Sequence, residues 1–127
     1  MQLEIGGTER IEYPSAAQID WHVRHLPIWT PFAILSGDAE VYIQATPAGD
    51  RYRVELRQGE LHRYAIVSTD CAVELFLAFH RWDEPAIDRQ EWRRLTRFNH
   101  LRTPSRILVL LVLAVLVAVT ASMLIRR

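Results

Sequence analysis

Residues 107 to 125, ILVLLVLAVLVAVTASMLI, run for nineteen positions without a charge, and only Thr120 and Ser122 among them are polar. At about 1.5 Å per residue a helix of that length covers roughly 28 Å, close to the ~30 Å hydrocarbon core of a bilayer. A soluble fold would have to surround such a helix with apolar partners, and the rest of the 127-residue chain has a small core of its own to build. The segment is therefore expected to be a single transmembrane helix, an anchor over residues 105–127, with Thr103 and Pro104 just before it reading as the N-cap and first position of the spanning helix. Only Arg126 and Arg127 follow the run, so the chain reads as tail-anchored.

Formal neutrality hides a division of charge. Residues 1–92 hold eight arginines and fifteen acids, 8 − 15 = −7, whereas residues 93–127 hold seven arginines and no acid, +7. Five of those arginines, Arg93, Arg94, Arg97, Arg102 and Arg106, precede the apolar run and two follow it, which by the positive-inside rule places the head in the cytoplasm. The opening residues, MQLEIGGTERIEYP, have neither a basic stretch nor an apolar one, so nothing there marks the head for export. The expected location is the inner membrane of a bacterium, crossed once, with the five arginines lying on anionic headgroups at about 1 kcal/mol each.

The head reads as one α+β domain over residues 1–84, joined to the anchor by a basic juxtamembrane helix over residues 85–104 that carries Ile87, Trp92, Leu95 and Phe98 among its arginines. Gln2–Ile5 suits a short strand before a Gly6-Gly7 turn. After Pro14 and Ser15, the residues Ala16, Ile19, Val23 and Leu26 recur at spacings of three and four, which predicts an amphipathic helix ending at Pro27. Four strand-like runs follow, 32–36, 40–46, 52–57 and 61–67, separated by Gly, Pro and Asp turns, as in an antiparallel meander. In the third run Tyr52, Val54 and Leu56 alternate with Arg53, Glu55 and Arg57, so one face should be packed and the other wet. Ser68, Thr69 and Asp70 offer caps for a second helix reaching about Trp82, apolar over most of its girth with Glu74, Ala78 and Arg81 on a narrow polar stripe. The expected architecture is a four- to five-stranded antiparallel sheet packed by two helices, plus the C-terminal transmembrane helix.

Catalytic patterns are sparse. His22 and His25 share a helix face, but no cysteine or carboxylate completes a metal set beside them, and His80 falls among Val73, Phe76 and Leu77, where a hydrogen-bonded core histidine is the commoner occurrence. No nucleophile elbow, glycine-rich phosphate loop, H-E-x-x-H or C-x-x-C occurs. The single cysteine, Cys71, excludes an intramolecular disulfide and reads as a small buried side chain. The chain is accordingly expected to be no enzyme and to need no cofactor. A head carrying −7 suits a basic protein partner and repels nucleic acid. Candidate contacts are Trp21, off the apolar stripe of its helix, Tyr42, opposite Val41 and Ile43 on its strand, and the acids Asp38, Asp50, Glu55 and Glu60 on the sheet or its turns; for each, burial in a second core layer or an ordinary solvated face is an equally good reading.

The segment FAILSGDAEVYIQATPAGDRYRVELRQGELHRYAIVSTDCAVELFLAFHRWD, from Phe32, resembles the small bacterial immunity proteins of polymorphic-toxin systems. The matching residues are Tyr42, Ile43, Gln44 and Ala45, then Glu55, Gly59, Leu61, Arg63 and Tyr64, then Phe76, Leu77, Phe79 and Trp82. The resemblance covers roughly fifty residues and implies a single-domain α+β inhibitor that binds and blocks a cognate toxin domain, often one acting on nucleic acid. The apolar tail departs from the soluble members of that group. Held at the membrane, such an inhibitor would be concentrated where a toxin emerges. The alternative is a membrane-tethered adaptor or regulatory subunit recruiting a basic cytosolic protein. Within the tail, Ala114, Ala118 and Ser122 are spaced by four, a row of small residues through which two spans could pack as a homodimer.

Overall fold

Along four consecutive runs every second residue is apolar except Arg63 in the fourth, and that period of two is what a sheet with one covered face demands. In the computed structural model, which describes residues 1–95, the runs become strands of one seven-stranded antiparallel sheet. The elements are β1 (Gln2–Ile5), β2 (Glu9–Glu12), α1 (Ala16–Arg24), β3 (Ala33–Asp38), β4 (Val41–Ala48), β5 (Arg51–Gln58), β6 (Leu61–Val67), α2 (Thr69–His80), α3 (Glu84–Asp88) and β7 (Arg93–Arg94). Their order across the sheet is β2-β1-β3-β4-β5-β6-β7. From β3 to β7 the strands follow chain order. The N-terminal hairpin adds its first strand, β1, to the free side of β3, and α1 carries the chain from β2 back over β1.

The registers align the core into rows. Leu3, Leu35, Ile43 and Leu56 stand opposite one another across four strands, and Ile5, Ala33, Ala45, Val54 and Ala65 form the next row across five. All nine are buried. The helices cover this face. Ile19 and Val23 of α1 and Val73, Phe76 and Phe79 of α2 are buried with the sheet residues in one cluster.

Local chemistry fixes where each helix starts. Ser15 and Gln18 form a capping box, with Gln18 N donating to Ser15 Oγ at 3.1 Å and Ser15 N to Gln18 Oε1 at 2.9 Å. Ser68 caps α2 by accepting from Cys71 N. The two helices are joined at the surface by Arg24, whose Nε donates to Asp20 at 2.7 Å and whose Nη1 donates to Asp70 at 2.6 Å. Helix and sheet are joined by Tyr52, whose hydroxyl donates to the Val23 carbonyl at 2.7 Å.

Several expectations require correction. The sheet has seven strands instead of four or five, and three helices instead of two precede its last strand. The extra N-terminal strand is β2, an edge strand in which only Ile11 is partly buried. The juxtamembrane helix expected over 85–104 is not a continuous helix in its described part: α3 ends at Asp88, and Arg93 and Arg94 pair with Tyr64 and Arg63 of β6. What holds this strand is Trp92, whose Nε1 donates to the Ile87 carbonyl at 2.9 Å while the Arg63 guanidinium lies 5.6 Å over its ring. The compact unit accordingly runs from Met1 to Arg94. Trp82 is not on α2. The helix closes with Asp83 N donating to the Ala78 carbonyl and Trp82 N to that of Phe79, a Schellman arrangement that puts Trp82 at φ +56°. Its ring is turned out to lie against Gly37, where an added Cβ would come within 2.9 Å of it. Ala78, expected on the polar stripe, is buried instead.

Among the described residues no helix is long and apolar enough to cross a membrane. The expected span, with Ala114, Ala118 and Ser122, lies outside them, as do Arg97, Arg102 and Arg106.

Candidate functional site

The helices cover one face of the sheet and leave the other open. Alternation sends Gln2, Glu4, Ile34, Ser36, Tyr42, Gln44, Glu55 and Tyr64 to the open side, where each is half-buried among its neighbours. Register places them in rows. Glu12, Gln2, Ser36, Tyr42, Arg57 and His62 are aligned across six strands, and Arg10, Glu4, Ile34, Gln44, Glu55, Tyr64 and Arg93 across all seven. Thr46, Arg53 and Ile66 begin a third row.

Glu55 is the hub of the β5–β6 half. Arg53 Nε donates to its Oε1 at 2.9 Å, and His62 Nε2 lies 3.7 Å from its Oε2. The Arg53 guanidinium also stacks 4.4 Å over the Tyr64 ring, and the His62 ring meets Tyr42 edge-on at 6.4 Å. In this half the long side chains are held by one another. The β1–β3–β4 half is instead a shallow groove of about 590 Å3, with Gln2, Glu12, Asp38, Tyr42 and Gln44 around Ile34.

The acidity of the head is not spread over this face. Its first two rows and Arg53 together hold three carboxylates, Glu4, Glu12 and Glu55, against four arginines, Arg10, Arg53, Arg57 and Arg93. The excess lies at the turns and on the helical layer. Gly59 N donates to the Glu40 carbonyl, which brings the β3–β4 and β5–β6 turns together, and with them Asp38, Glu40 and Glu60 at one end of the sheet. Among the described residues Arg57 answers them, 3.7 Å from Glu40.

The structure therefore separates the residues that the sequence offers as contacts. Tyr42 and Glu55 share the open face; Asp38, which accepts from Glu40 N at 2.8 Å, and Glu60 sit at one end of it. Asp50 occupies the β4–β5 turn at the opposite end. Trp21 belongs to the helical layer, 56% exposed, with its ring stacked 4.4 Å from that of His25. Arg93 and Arg94 are strand residues of β7. Sequence reasoning put Arg53 on the wet face of its strand without naming it a candidate contact, and passed over Gln44, His62 and Tyr64 as members of the face. The alternation in β5 signals Arg53, and carrying the same period into β4 and β6 would have found the other three.

The two histidines of the α1 region each have a local partner among the described residues: His22 lies 4.0 Å from Glu9, and His25 Nδ1 is 2.7 Å from the Trp21 carbonyl. Among the described residues no group of three or more His, Cys, Asp or Glu side chains is placed to hold a metal ion. Burial, reinforced by the Glu74 charge and opposed by Arg51, raises the Cys71 thiol above its ordinary value. It stays protonated and donates to Gln90 Oε1 at 3.4 Å, which makes it a poor nucleophile.

No family model matches the chain, and no curated protein or solved structure matches it.

Proposed function

We propose that the chain is a tail-anchored immunity protein whose open sheet face binds a cognate toxin domain and neutralises it by occlusion. The observation that carries this reading is the way the residues of the family resemblance divide. Ile43, Ala45, Phe76 and Phe79 are buried, as any sheet-and-helix core would require. Tyr42, Gln44, Glu55 and Tyr64 lie on the uncovered face, where folding makes no demand for them. Two tyrosines beside a fixed Arg53–Glu55 pair offer what interface hot spots use, rigid aromatic area next to oriented charge. The carboxylate-rich end at Asp38, Glu40 and Glu60 would speed the approach of a basic toxin without itself holding it. The head faces the cytoplasm in this reading, and the span keeps it where a toxin enters or acts.

The test is survival of bacteria expressing the toxin domain encoded beside this gene together with the full chain, or with the full chain bearing Tyr42→Ala and Glu55→Arg. Rescue by the natural sequence and loss of rescue in the double variant, at equal protein level, are expected. Absence of rescue by the natural sequence would sink the immunity reading and move the head to the adaptor class, for which the exposed Trp21–His25 stack on the helical layer is the observation in favour. Rescue unaffected by the double variant would keep immunity and remove the sheet face from it.

A further inference from the structure

β2 is the outer strand of the sheet, with β1 on one side and no strand of the described residues on the other. Its main chain divides by position. Tyr13 N donates to the Met1 carbonyl at 2.9 Å, one step beyond the Gln2–Glu12 pair, and on the far side of β1 Gly6 N donates to the Phe32 carbonyl at 3.0 Å. Bonded and non-bonded pairs alternate along an antiparallel ladder, so residues 9, 11 and 13 turn their main-chain groups toward β1, and Arg10 and Glu12 turn theirs to the free edge. The side chains of Arg10 and Glu12 are exposed on the open face. Glu12 accepts from Gln2 Nε2 at 2.9 Å. Arg10 stands opposite Glu4 of β1, yet among the described residues it makes no hydrogen bond or ion pair. Between them Ile11, on the helix side, is half-buried against the core.

We propose that β2 joins two copies of this chain edge to edge, the two β2 strands pairing antiparallel about Ile11 so that Arg10 of each copy stands opposite Glu12 of the other. Charges on an edge strand usually keep other strands away, but the order Arg10, Ile11, Glu12 is complementary to itself when reversed. The outward main-chain groups of Arg10 and Glu12 restrict which registers a second β2 can take. Centring on Arg10 sets two arginines against each other. Centring on Glu12 sets two acids against each other and puts Arg10 opposite Pro14, which has no N–H to give. Centring on Ile11 makes two Arg10–Glu12 pairs, each exchanging both main-chain hydrogen bonds with opposite charges directly across. The two Ile11 side chains then meet on the helix side as a non-bonded pair, the closer kind. Repulsion between the acidic heads acts at long range and is screened beyond about 8 Å at physiological salt, whereas the Arg10–Glu12 pairs act at contact. Glu12 also lines the groove beside Gln2 and Tyr42. Pairing therefore brings an arginine of the second copy to the rim of that groove and continues the open face from one copy to the next. A four-residue strand makes a small contact, so the dimer is reversible and is read by trapping it.

The test uses the full chain in mild detergent, with Cys71→Ser throughout and one thiol introduced by Ile11→Cys, under mild oxidation. In the proposed register the two Cα atoms at position 11 lie about 4.5 Å apart, inside the disulfide range of about 4.4–6.8 Å. Those at position 9 lie roughly 14 Å apart. Ile11→Cys should therefore give a disulfide-linked dimer, and Glu9→Cys should not. Adding Arg10→Glu to Ile11→Cys sets acid against acid in both pairs and should remove most of the product. Adding Arg10→Glu together with Glu12→Arg exchanges the signs and should restore it. Circular dichroism checks that each head is folded. Sedimentation of the chain without an introduced thiol reads the same contact should Ile11→Cys fail to fold: the natural sequence and the exchanged double variant should dimerise alike, and Arg10→Glu alone more weakly. Equal product from Ile11→Cys and Glu9→Cys overturns the proposal, as does a dimer that Arg10→Glu leaves unchanged or that the exchanged pair does not restore. Self-association through the row Ala114, Ala118 and Ser122 would give such a charge-indifferent dimer. A chain that is monomeric and yields no linked product overturns it as well.

Discussion

The two faces of the sheet are made by the same strands and the same alternation, yet they obey different rules. On the covered face, side chains of neighbouring strands stand in aligned apolar rows under α1 and α2, and nine of them reach full or nearly full burial. On the open face, the same registers align a mixture of tyrosine, arginine, glutamate, glutamine and histidine that remains half in water. Burial makes the first face a matter of volume, because a packed interior tolerates neither a void nor an extra methyl. Partial hydration makes the second a matter of placement, because water compensates for most of what a substitution removes. A chain selected only to fold would be indifferent to most of the open face. The arginine stacked on a tyrosine and paired with a glutamate there is the arrangement on which the proposed contact surface rests.

Four substitutions would break or sharpen that contrast. The largest effect belongs to the covered face: Phe76→Ala, at a side chain with no exposure, should cost about 3–5 kcal/mol, measured as a shift in the urea midpoint. Next is Tyr52→Phe, which removes the hydroxyl bond to the Val23 carbonyl and should cost about 1 kcal/mol at neutral pH. That tyrosine also adds a pH dependence. Burial raises its folded pKa above 10.0, with the Arg24 charge a smaller opposing influence. The folded state thus favours the protonated phenol, and its contribution is whole below pH 10 and lost as pH rises through the raised folded value. The natural protein should lose stability across that alkaline range, and Tyr52→Phe should flatten the loss.

On the open face the expected effects shrink. Arg53→Ala, which removes both the 2.9 Å bond to Glu55 and the stacking on Tyr64, should cost about 1 kcal/mol or less. Gln44→Ala should lie within about 0.5 kcal/mol of neutral. Both should nevertheless weaken protection in the rescue assay if the face is the binding surface. An open-face substitution that destabilised as much as Phe76→Ala would abolish the distinction between the faces and count against a surface kept for binding.

Much of the covered face was legible in the sequence. The runs 32–36, 40–46, 52–57 and 61–67 became β3 to β6, with their ends shifted by a few residues or fewer, because alternation and Gly, Pro or Asp turns declare a half-buried strand directly. Gln2–Ile5 is β1 as expected, the first long helix follows Ser15 as expected, and the second is capped by Ser68, one of the three caps its sequence offers. The edges were not legible, for a physical reason. β2, reading Glu9, Arg10, Ile11 and Glu12, has one partly buried side chain and leaves no period to detect. β7 is two arginines whose conformation is set by distant partners, Arg63 and Tyr64, and by the seating of Trp92. The same limit applies to the site. Tyr42 and Glu55 were singled out one at a time, but that they share a face with Tyr64 and His62 depends on the pairing register between strands, which no single segment contains.

The short strand β7 has a mechanical consequence. It is the last described element before the chain continues toward the apolar run, so tension applied from the C-terminal side reaches it first. Two residue pairs hold it to β6, whereas seven or eight hold each pairing within β4–β5–β6. Under load β7 would peel away first, and the force would next meet Trp92 and the Arg63 stack before any residue of the main core moved. On the proposed anchoring, the strand would act as strain relief. A tug on the tail would then be spent on that two-pair clip before it reached the longer pairings of the open face.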